Sequence, residues 1–139
     1  MKKFADVILP LPLYSYFTYS LPDEWVDEVQ IGCRVVVPFG RKKYYTAIVQ
    51  NIHYSAPAGY EVKEVSALLD AHPILLPEQF RFWDWLADYY LCTRGDVYKA
   101  ALPSGLKLES ETIVEYNPDF ESDVQLPEKE QKILDLLAA

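Results

Sequence analysis

The chain has 139 residues, of which 50% are hydrophobic and 14% aromatic, and this composition supports one folded core of ordinary domain size and excludes general disorder. No apolar stretch approaches the ~18 residues of a membrane span, and Asp6 interrupts any signal-like start, so we expect a cytoplasmic protein without membrane segments. The formal net charge of −8 argues against nucleic-acid binding, but residues 1–105 carry only −2 and residues 106–139 carry −6. The acidity belongs mostly to the tail.

The first half of the chain is predicted to be mainly β. Its extended segments are rich in β-branched and aromatic residues and are bounded by Gly and Pro: 3–9, 16–20, 34–37, 44–54 and 61–69. Between the first two, prolines alternate with leucines from residue 9 to residue 13. Because proline cannot donate a ladder hydrogen bond, we expect this stretch to be an edge or a linker.

The second half contains the helical signals. Pro77 and Glu78 begin a segment with apolar residues at helical spacing, which predicts a helix to about residue 91. The capping-box pattern from Thr93 to Asp96 predicts a short helix that ends before Pro103. Beyond residue 105 we expect an acidic segment with one strand at 113–116 and an amphipathic helix at 126–139. Because nothing follows to cover that helix, we expect the chain to stop inside a second domain.

The motifs of an ATPase or a metalloenzyme are not evident in the sequence. The five glycines never have the spacing of a phosphate-binding loop, and His53 and His72 have no carboxylate or cysteine neighbour that would suggest a metal site or a nucleophile triad. Cys33 and Cys92 lie far apart and are expected to be reduced, buried thiols. We therefore predict that the chain is not a complete enzyme and carries no cofactor.

A group of aromatic residues and a basic turn suggest a surface for single-stranded DNA. The aromatic residues are Tyr14, Tyr16, Phe17 and Tyr19, and the basic ones are Arg41, Lys42, Lys43, which follow Gly40, and Lys63. Aromatic rings can stack on unpaired bases while cationic groups bind phosphates. The same tyrosines could pack a core, or form the interface of a small β-barrel that binds another protein, and these alternatives stay open. Carbohydrate binding is disfavoured because Trp83 and Trp85 fall in a predicted helix.

Several motifs in the same order resemble the N-terminal DNA-binding domain of the PriA family of replication-restart helicases, over about residues 1–105. They include LPLPL from residue 9, FTY from residue 17, GCRVVVPFG from residue 32, ADYY from residue 87, GDV from residue 95 and ALP from residue 101. The pattern GxRVxVPFG in this company is far more specific than any one motif alone.

This resemblance implies an α+β fold, mainly β with a smaller α part. Residues 1–105 would form a small β-barrel-like domain with a C-terminal helical piece, which binds a DNA 3′ end. Residues 106–139 would form an acidic linker and the truncated beginning of a winged-helix domain. The resemblance implies a pocket for the 3′-terminal nucleotide of a nascent strand at a fork, formed by Phe17, Thr18, Tyr19, Gly40 and Lys63.

The resemblance also implies properties of a longer parent protein. That parent would be an ATP-dependent 3′-to-5′ DNA helicase with ATP, Mg and Zn sites beyond this chain, and its partners would be branched forks, other primosome proteins and single-strand-binding protein. One position departs from the family pattern, because Thr18 stands where members often carry Asp. Thr18 keeps a hydrogen-bond acceptor but lacks the negative charge of the carboxylate.

Overall fold

A computed structural model describes residues 2–111, 113–119 and 125–138 of the chain. The strands are β1 (Phe4–Ile8), β2 (Phe17–Ser20), β3 (Arg34–Phe39), β4 (Lys43–His53) and β5 (Ala67–Leu68). The helices are α1 (Pro77–Tyr90), α2 (Arg94–Ala101) and α3 (Glu128–Ala138), with a 3-10 turn at Ser104–Leu106. In the part of the chain that these ranges cover, no helix combines the length and the apolar character needed to cross a membrane.

The five strands form one antiparallel sheet in the order β2-β1-β4-β3-β5. The two edges of this sheet meet at Ser20, at the end of β2. Its backbone N–H donates to Lys63 O at 2.9 Å, and its carbonyl accepts from Val65 N at 3.0 Å, just before β5. The sheet therefore curls round on itself, and the predicted α+β fold with a barrel-like sheet is confirmed.

Two groups of buried side chains hold the domain together. One fills the curled sheet with small and β-branched residues, among them Val7, Val35, Val37, Ala47 and Val49. The other lies between the sheet and the helices, where the Trp83 ring of α1 stacks on the Tyr98 ring of α2 at 5.8 Å. The buried Tyr98 hydroxyl donates to Thr46 O at 2.7 Å, so the second group is tied directly to β4.

The leucine–proline segment 9–13, predicted to be an edge or a linker, is a linker without strand structure, and it packs against the first turn of α2. A β-carbon built on Gly95 would lie 1.8 Å from Leu11 O and 2.6 Å from Leu9 O. Only glycine permits this approach of two backbones. The predicted capping box is confirmed, since the Thr93 hydroxyl accepts from Asp96 N at 3.2 Å and Asp96 Oδ2 accepts from Thr93 N at 3.0 Å.

A largely buried ion pair fixes the segment after β5 against β3. Asp70 accepts from the backbone N–H of Arg34 at 2.8 Å and from Arg34 Nη2 at 2.6 Å, and only 8% of the Asp70 side chain is exposed. Hydrogen bonds from Arg34 hold the pKa of Asp70 below its ordinary value, against the opposing effect of burial. The same hydrogen bonding raises the pKa of Arg34, so both groups stay charged in the folded protein.

Three predicted elements differ from the structure. Of the predicted strand 61–69, only Ala67–Leu68 is a strand, because the preceding residues make single contacts with β2 instead of a ladder. The predicted strand 113–116 is wrong, since these residues have no regular structure. The predicted helix 126–139 begins two residues later, at Glu128, and its predicted last residue lies outside the described residues.

The predicted domain boundary at residue 105 stays a prediction, and the structure adds a contact beyond it. Leu108 O accepts from Thr46 N at 3.0 Å and from the Thr46 hydroxyl at 2.7 Å, and Ser110 N donates to Tyr44 O at 3.1 Å. Residues 108–110 thus lie along β4. The apolar residues of α3 are exposed among the described residues: Ile133, Leu134, Leu136 and Leu137.

Candidate nucleic-acid interface

A cavity of about 170 Å³ lies between β2, the end of β3 and the segment before β5. All five residues that the resemblance implied line it, although they come from three separate parts of the chain: Phe17, Thr18, Tyr19, Gly40 and Lys63. The remaining lining residues are Pro38, Phe39, Tyr60 and Glu61. We call this cavity the end pocket.

The aromatic wall of the end pocket is fixed by contacts between β2 and β3. Phe17 and Tyr19 alternate with Thr18 along β2 and therefore face the same side of the sheet. The Phe17 ring meets the edge of the Phe39 ring at 5.1 Å, and the Tyr19 hydroxyl donates to Pro38 O at 3.0 Å. Burial, together with the nearby Tyr60, raises the pKa of Tyr19 to about 12, so this hydroxyl stays neutral.

The Thr18 hydroxyl is engaged on the other face of β2, as the alternation predicts. It donates to Asp6 Oδ1 at 2.6 Å on β1, and Asp6 also contacts His53 Nε2 at 3.1 Å and Asn51 Nδ2 at 3.3 Å. Burial raises the pKa of Asp6, but hydrogen bonds from Thr18, His53 and Asn51 outweigh it and hold that pKa below its ordinary value. The pairing of His53 with Asp6 was not predicted, because it depends on the register of β1 and β4.

Gly40 and Lys63 close the pocket at the tip of the β3–β4 turn. Gly40 has φ +70°, a left-handed conformation that favours glycine, and a β-carbon there would meet no heavy atom within 4 Å. Lys63 Nζ donates to Gly40 O at 2.8 Å and thereby joins the turn to the segment before β5. An ammonium group has three hydrogens, so Lys63 can hold this contact and still bind a phosphate.

The other predicted basic residues lie beside the end pocket and do not line it. Arg41 and Lys42 form the exposed turn after Gly40, and Lys43 begins β4. None of the three forms an ion pair with another residue in the described part of the chain. They extend a cationic surface outward from the rim that Gly40 and Lys63 form.

The predicted aromatic group is divided between two sites. Tyr14, 89% exposed, and Tyr16, 43% exposed, line a separate cleft of about 270 Å³ against α1 and α2. There the Arg94 guanidinium lies 4.9 Å from the Tyr16 ring centre and pairs with Asp84 at 2.5 Å. Phe17 lines both cavities, so the two sites share one wall.

Four pocket residues were not predicted. Pro38 and Phe39 are part of the motif GCRVVVPFG, and their neighbour Gly40 was the available signal. Tyr60 and Glu61 come from a loop whose position depends on the hydrogen bonds between Ser20 and residues 63 and 65. Their closeness to Lys63 in the sequence was the only indication of a place in the pocket.

A row of exposed aromatic rings on α1 was also not predicted from the sequence. The Trp85 ring stacks on Phe82 at 6.1 Å and on Tyr89 at 5.1 Å, and each of the three rings is more than half exposed. Trp85 thus lies at stacking distance from two aromatic neighbours on the same helix. Within the described residues, no cluster of His, Cys, Asp and Glu is arranged to hold a metal ion.

Comparison with known proteins shows the family to which the chain belongs. Residues 6–103 match the family model of the PriA 3′ DNA-binding domain, and residues 111–139 match a winged helix domain. The replication restart protein PriA of Bacillus subtilis is 32% identical over 136 residues, which cover 94% of this chain and 17% of that protein. The PriA protein of Haemophilus influenzae is 36% identical over 108 residues, covering 76% of this chain and 14% of that protein. The chain thus spans about a sixth of the length of these relatives, and it belongs to the family of PriA 3′ DNA-binding domains.

Proposed function

We propose that the end pocket binds the 3′-terminal nucleotide of a nascent DNA strand at a stalled or abandoned replication fork. The observation that carries this proposal is the convergence of Phe17, Thr18, Tyr19, Gly40 and Lys63 around one cavity. Membership of the 3′ DNA-binding domain family supports the same assignment.

The chemistry of the pocket suits a nucleotide that enters from its open side. Phe17 and the half-exposed Tyr60 offer aromatic surface to the base, and stacking of this kind contributes about 1–3 kcal/mol per base. Lys63 offers its ammonium group to the preceding phosphate, and Arg41, Lys42 and Lys43 can contact phosphates further along the strand. Gly40 lets the backbone of the turn approach the sugar without a side chain in between.

The proposed role in the cell is supported by the relatives, which are named replication restart proteins. In this proposal the chain targets a longer parent protein to DNA ends, in the cytoplasm, so that primosome assembly can begin. The helicase activity, the ATP, Mg and Zn sites, and the contacts with primosome proteins and single-strand-binding protein are assigned to that parent.

The experiment is a titration of the 139-residue chain with fluorescent single strands that differ only at the 3′ end. A free hydroxyl end is expected to bind more tightly than an end blocked with phosphate, because the blocked end brings extra bulk and negative charge into the pocket. Phe17→Ala is expected to weaken binding of the free end, whereas Phe82→Ala on α1 serves as the matched control and leaves it unchanged. Equal affinity for both ends would reject recognition of the terminus.

A second function, docking of a protein, is favoured by the aromatic row on α1. Phe82, Trp85 and Tyr89 are exposed on the side of the helix away from the core residue Trp83. Aromatic residues are enriched at protein interfaces, and this row lies outside the end pocket. Trp85→Ser is expected to abolish binding of a purified primosome protein in calorimetry while DNA affinity stays the same. Unchanged protein binding would reject this function for the row.

A further inference from the structure

The oxygen atoms around the end pocket are not equally available to a ligand. The Thr18 hydroxyl donates to Asp6 at 2.6 Å, and the Tyr19 hydroxyl donates to Pro38 O at 3.0 Å. These two contacts hold the hydroxyl groups in the protein's own network, one on the far face of β2 and the other against β3. Neither residue supplies a negative charge to the pocket.

Glu61 is different, because among the described residues that line the end pocket it alone carries a carboxylate. Its side chain is exposed, and among the described residues it forms no hydrogen bond or ion pair. The segment that carries Glu61 is anchored two residues later, where Lys63 O accepts from Ser20 N at 2.9 Å. Glu61 is thus an unpaired anion held at the edge of an aromatic pocket.

Resting on the function proposed above, we infer that Glu61 distinguishes a DNA end from the interior of a strand by accepting a hydrogen bond from the terminal 3′ hydroxyl. A terminal sugar has a hydroxyl donor at this position, whereas an internal sugar has an anionic phosphodiester. A carboxylate accepts from the hydroxyl through a charge-assisted hydrogen bond and repels the phosphodiester or a 3′ phosphate. Glu61 therefore favours ends both by attraction and by repulsion.

The neighbouring charges fit one terminal nucleotide. Lys63 and Glu61 line the same pocket with opposite charges and are separated by one residue. The terminal nucleotide has a phosphate on its 5′ side and a hydroxyl on its 3′ side, so each end of the nucleotide meets the charge that suits it. This assignment also explains how the pocket can read a hydroxyl although Thr18 has no carboxylate.

The test uses the full chain and three single strands of one sequence: a linear strand with a 3′ hydroxyl, a linear strand with a terminal 3′-deoxy sugar, and a closed circle. The variant is Glu61→Ala, and its control is Glu64→Ala. Glu64 is an exposed carboxylate of the same segment that does not line the end pocket, so its removal reproduces the change in net charge.

The wild-type chain is expected to bind the hydroxyl end about tenfold more tightly than the deoxy end, a difference of about 1.4 kcal/mol. Glu61→Ala is expected to reduce this ratio to within about twofold, while Glu64→Ala keeps it. If Glu61→Ala kept the tenfold ratio between the hydroxyl and deoxy ends, or gained affinity equally for all three strands, the role of Glu61 would be overturned. Equal binding of the linear and circular strands by the wild type would instead overturn the proposed function itself.

Discussion

Gly95→Ala tests the packing that joins the helices to the leucine–proline segment. The added β-carbon would lie 1.8 Å from Leu11 O, and this distance must increase to at least 3.0 Å before the two groups tolerate each other. The neighbour is backbone, not the end of a flexible side chain, so α2 and the segment must separate. Overpacking of this kind costs about 1–3 kcal/mol or more, which exceeds the ~1 kcal/mol that alanine gains over glycine in a helix.

We therefore expect Gly95→Ala to lower the free energy of unfolding by about 2 kcal/mol and the Tm by about 10 °C. Urea and thermal unfolding, followed by tryptophan fluorescence, measure both quantities. Gly105→Ala is the matched control, because a β-carbon there meets no heavy atom within 4 Å and φ is not positive. A Gly95→Ala protein as stable as the control would refute the close approach of α2 to the segment.

Three further substitutions test the ion pair and the end pocket. Asp70→Asn should destabilise the fold by about 3 kcal/mol, because it leaves Arg34 without its buried partner. The pKa of Asp70 in the folded protein lies below 3.8, so its contribution to stability is complete above that pH and is lost as the pH falls through the lower folded value. In acid unfolding experiments, the free energy of unfolding of the variant should therefore depend less on pH than that of the wild type. Lys63→Ala should reduce the magnitude of the log–log salt slope of single-strand binding by about 0.7, from a wild-type slope of about −1.4 to −2.1, and an unchanged slope would exclude a phosphate contact. Gly40→Ala should lower the free energy of unfolding by only the ~1–2 kcal/mol of left-handed strain, yet it should weaken the binding of linear strands more than that of circles. Equal loss of affinity for both would show that Gly40 has no part in end recognition.

Sequence patterns correctly predicted those structural elements that are determined by residues close together in the chain. The capping box at Thr93 and Asp96, the helix that begins at Pro77 and the non-ladder character of the segment 9–13 all follow from the chemistry of neighbouring residues. The strand predicted at 113–116 is not formed, because a strand does not depend on neighbouring residues alone. Its β-branched residues suit a strand, but a strand needs a partner, and residues 108–110 instead make the additional contact with the start of β4.

The candidate site was predictable only in part, because most of it depends on contacts between distant segments. The resemblance supplied five lining residues, and alternation along β2 correctly separated Thr18 from Phe17 and Tyr19. Neither source indicated Glu61, which reaches the pocket because Ser20 pairs with the segment before β5. The sequence pattern also grouped Tyr14 and Tyr16 with Phe17 and Tyr19, whereas in the structure Tyr14 and Tyr16 line the cleft beside Arg94.

The measurement that tests the account most directly is the affinity of the 139-residue chain for a linear single strand and for a covalently closed circle of the same sequence. The two ligands present the same bases and phosphates and differ only in the presence of ends. We expect the linear strand to bind at least about tenfold more tightly than the circle, a difference of about 1.4 kcal/mol. A linear strand blocked at its 3′ end is expected to bind with an affinity close to that of the circle. Equal affinity for the linear strand and the circular strand would contradict recognition of a DNA end.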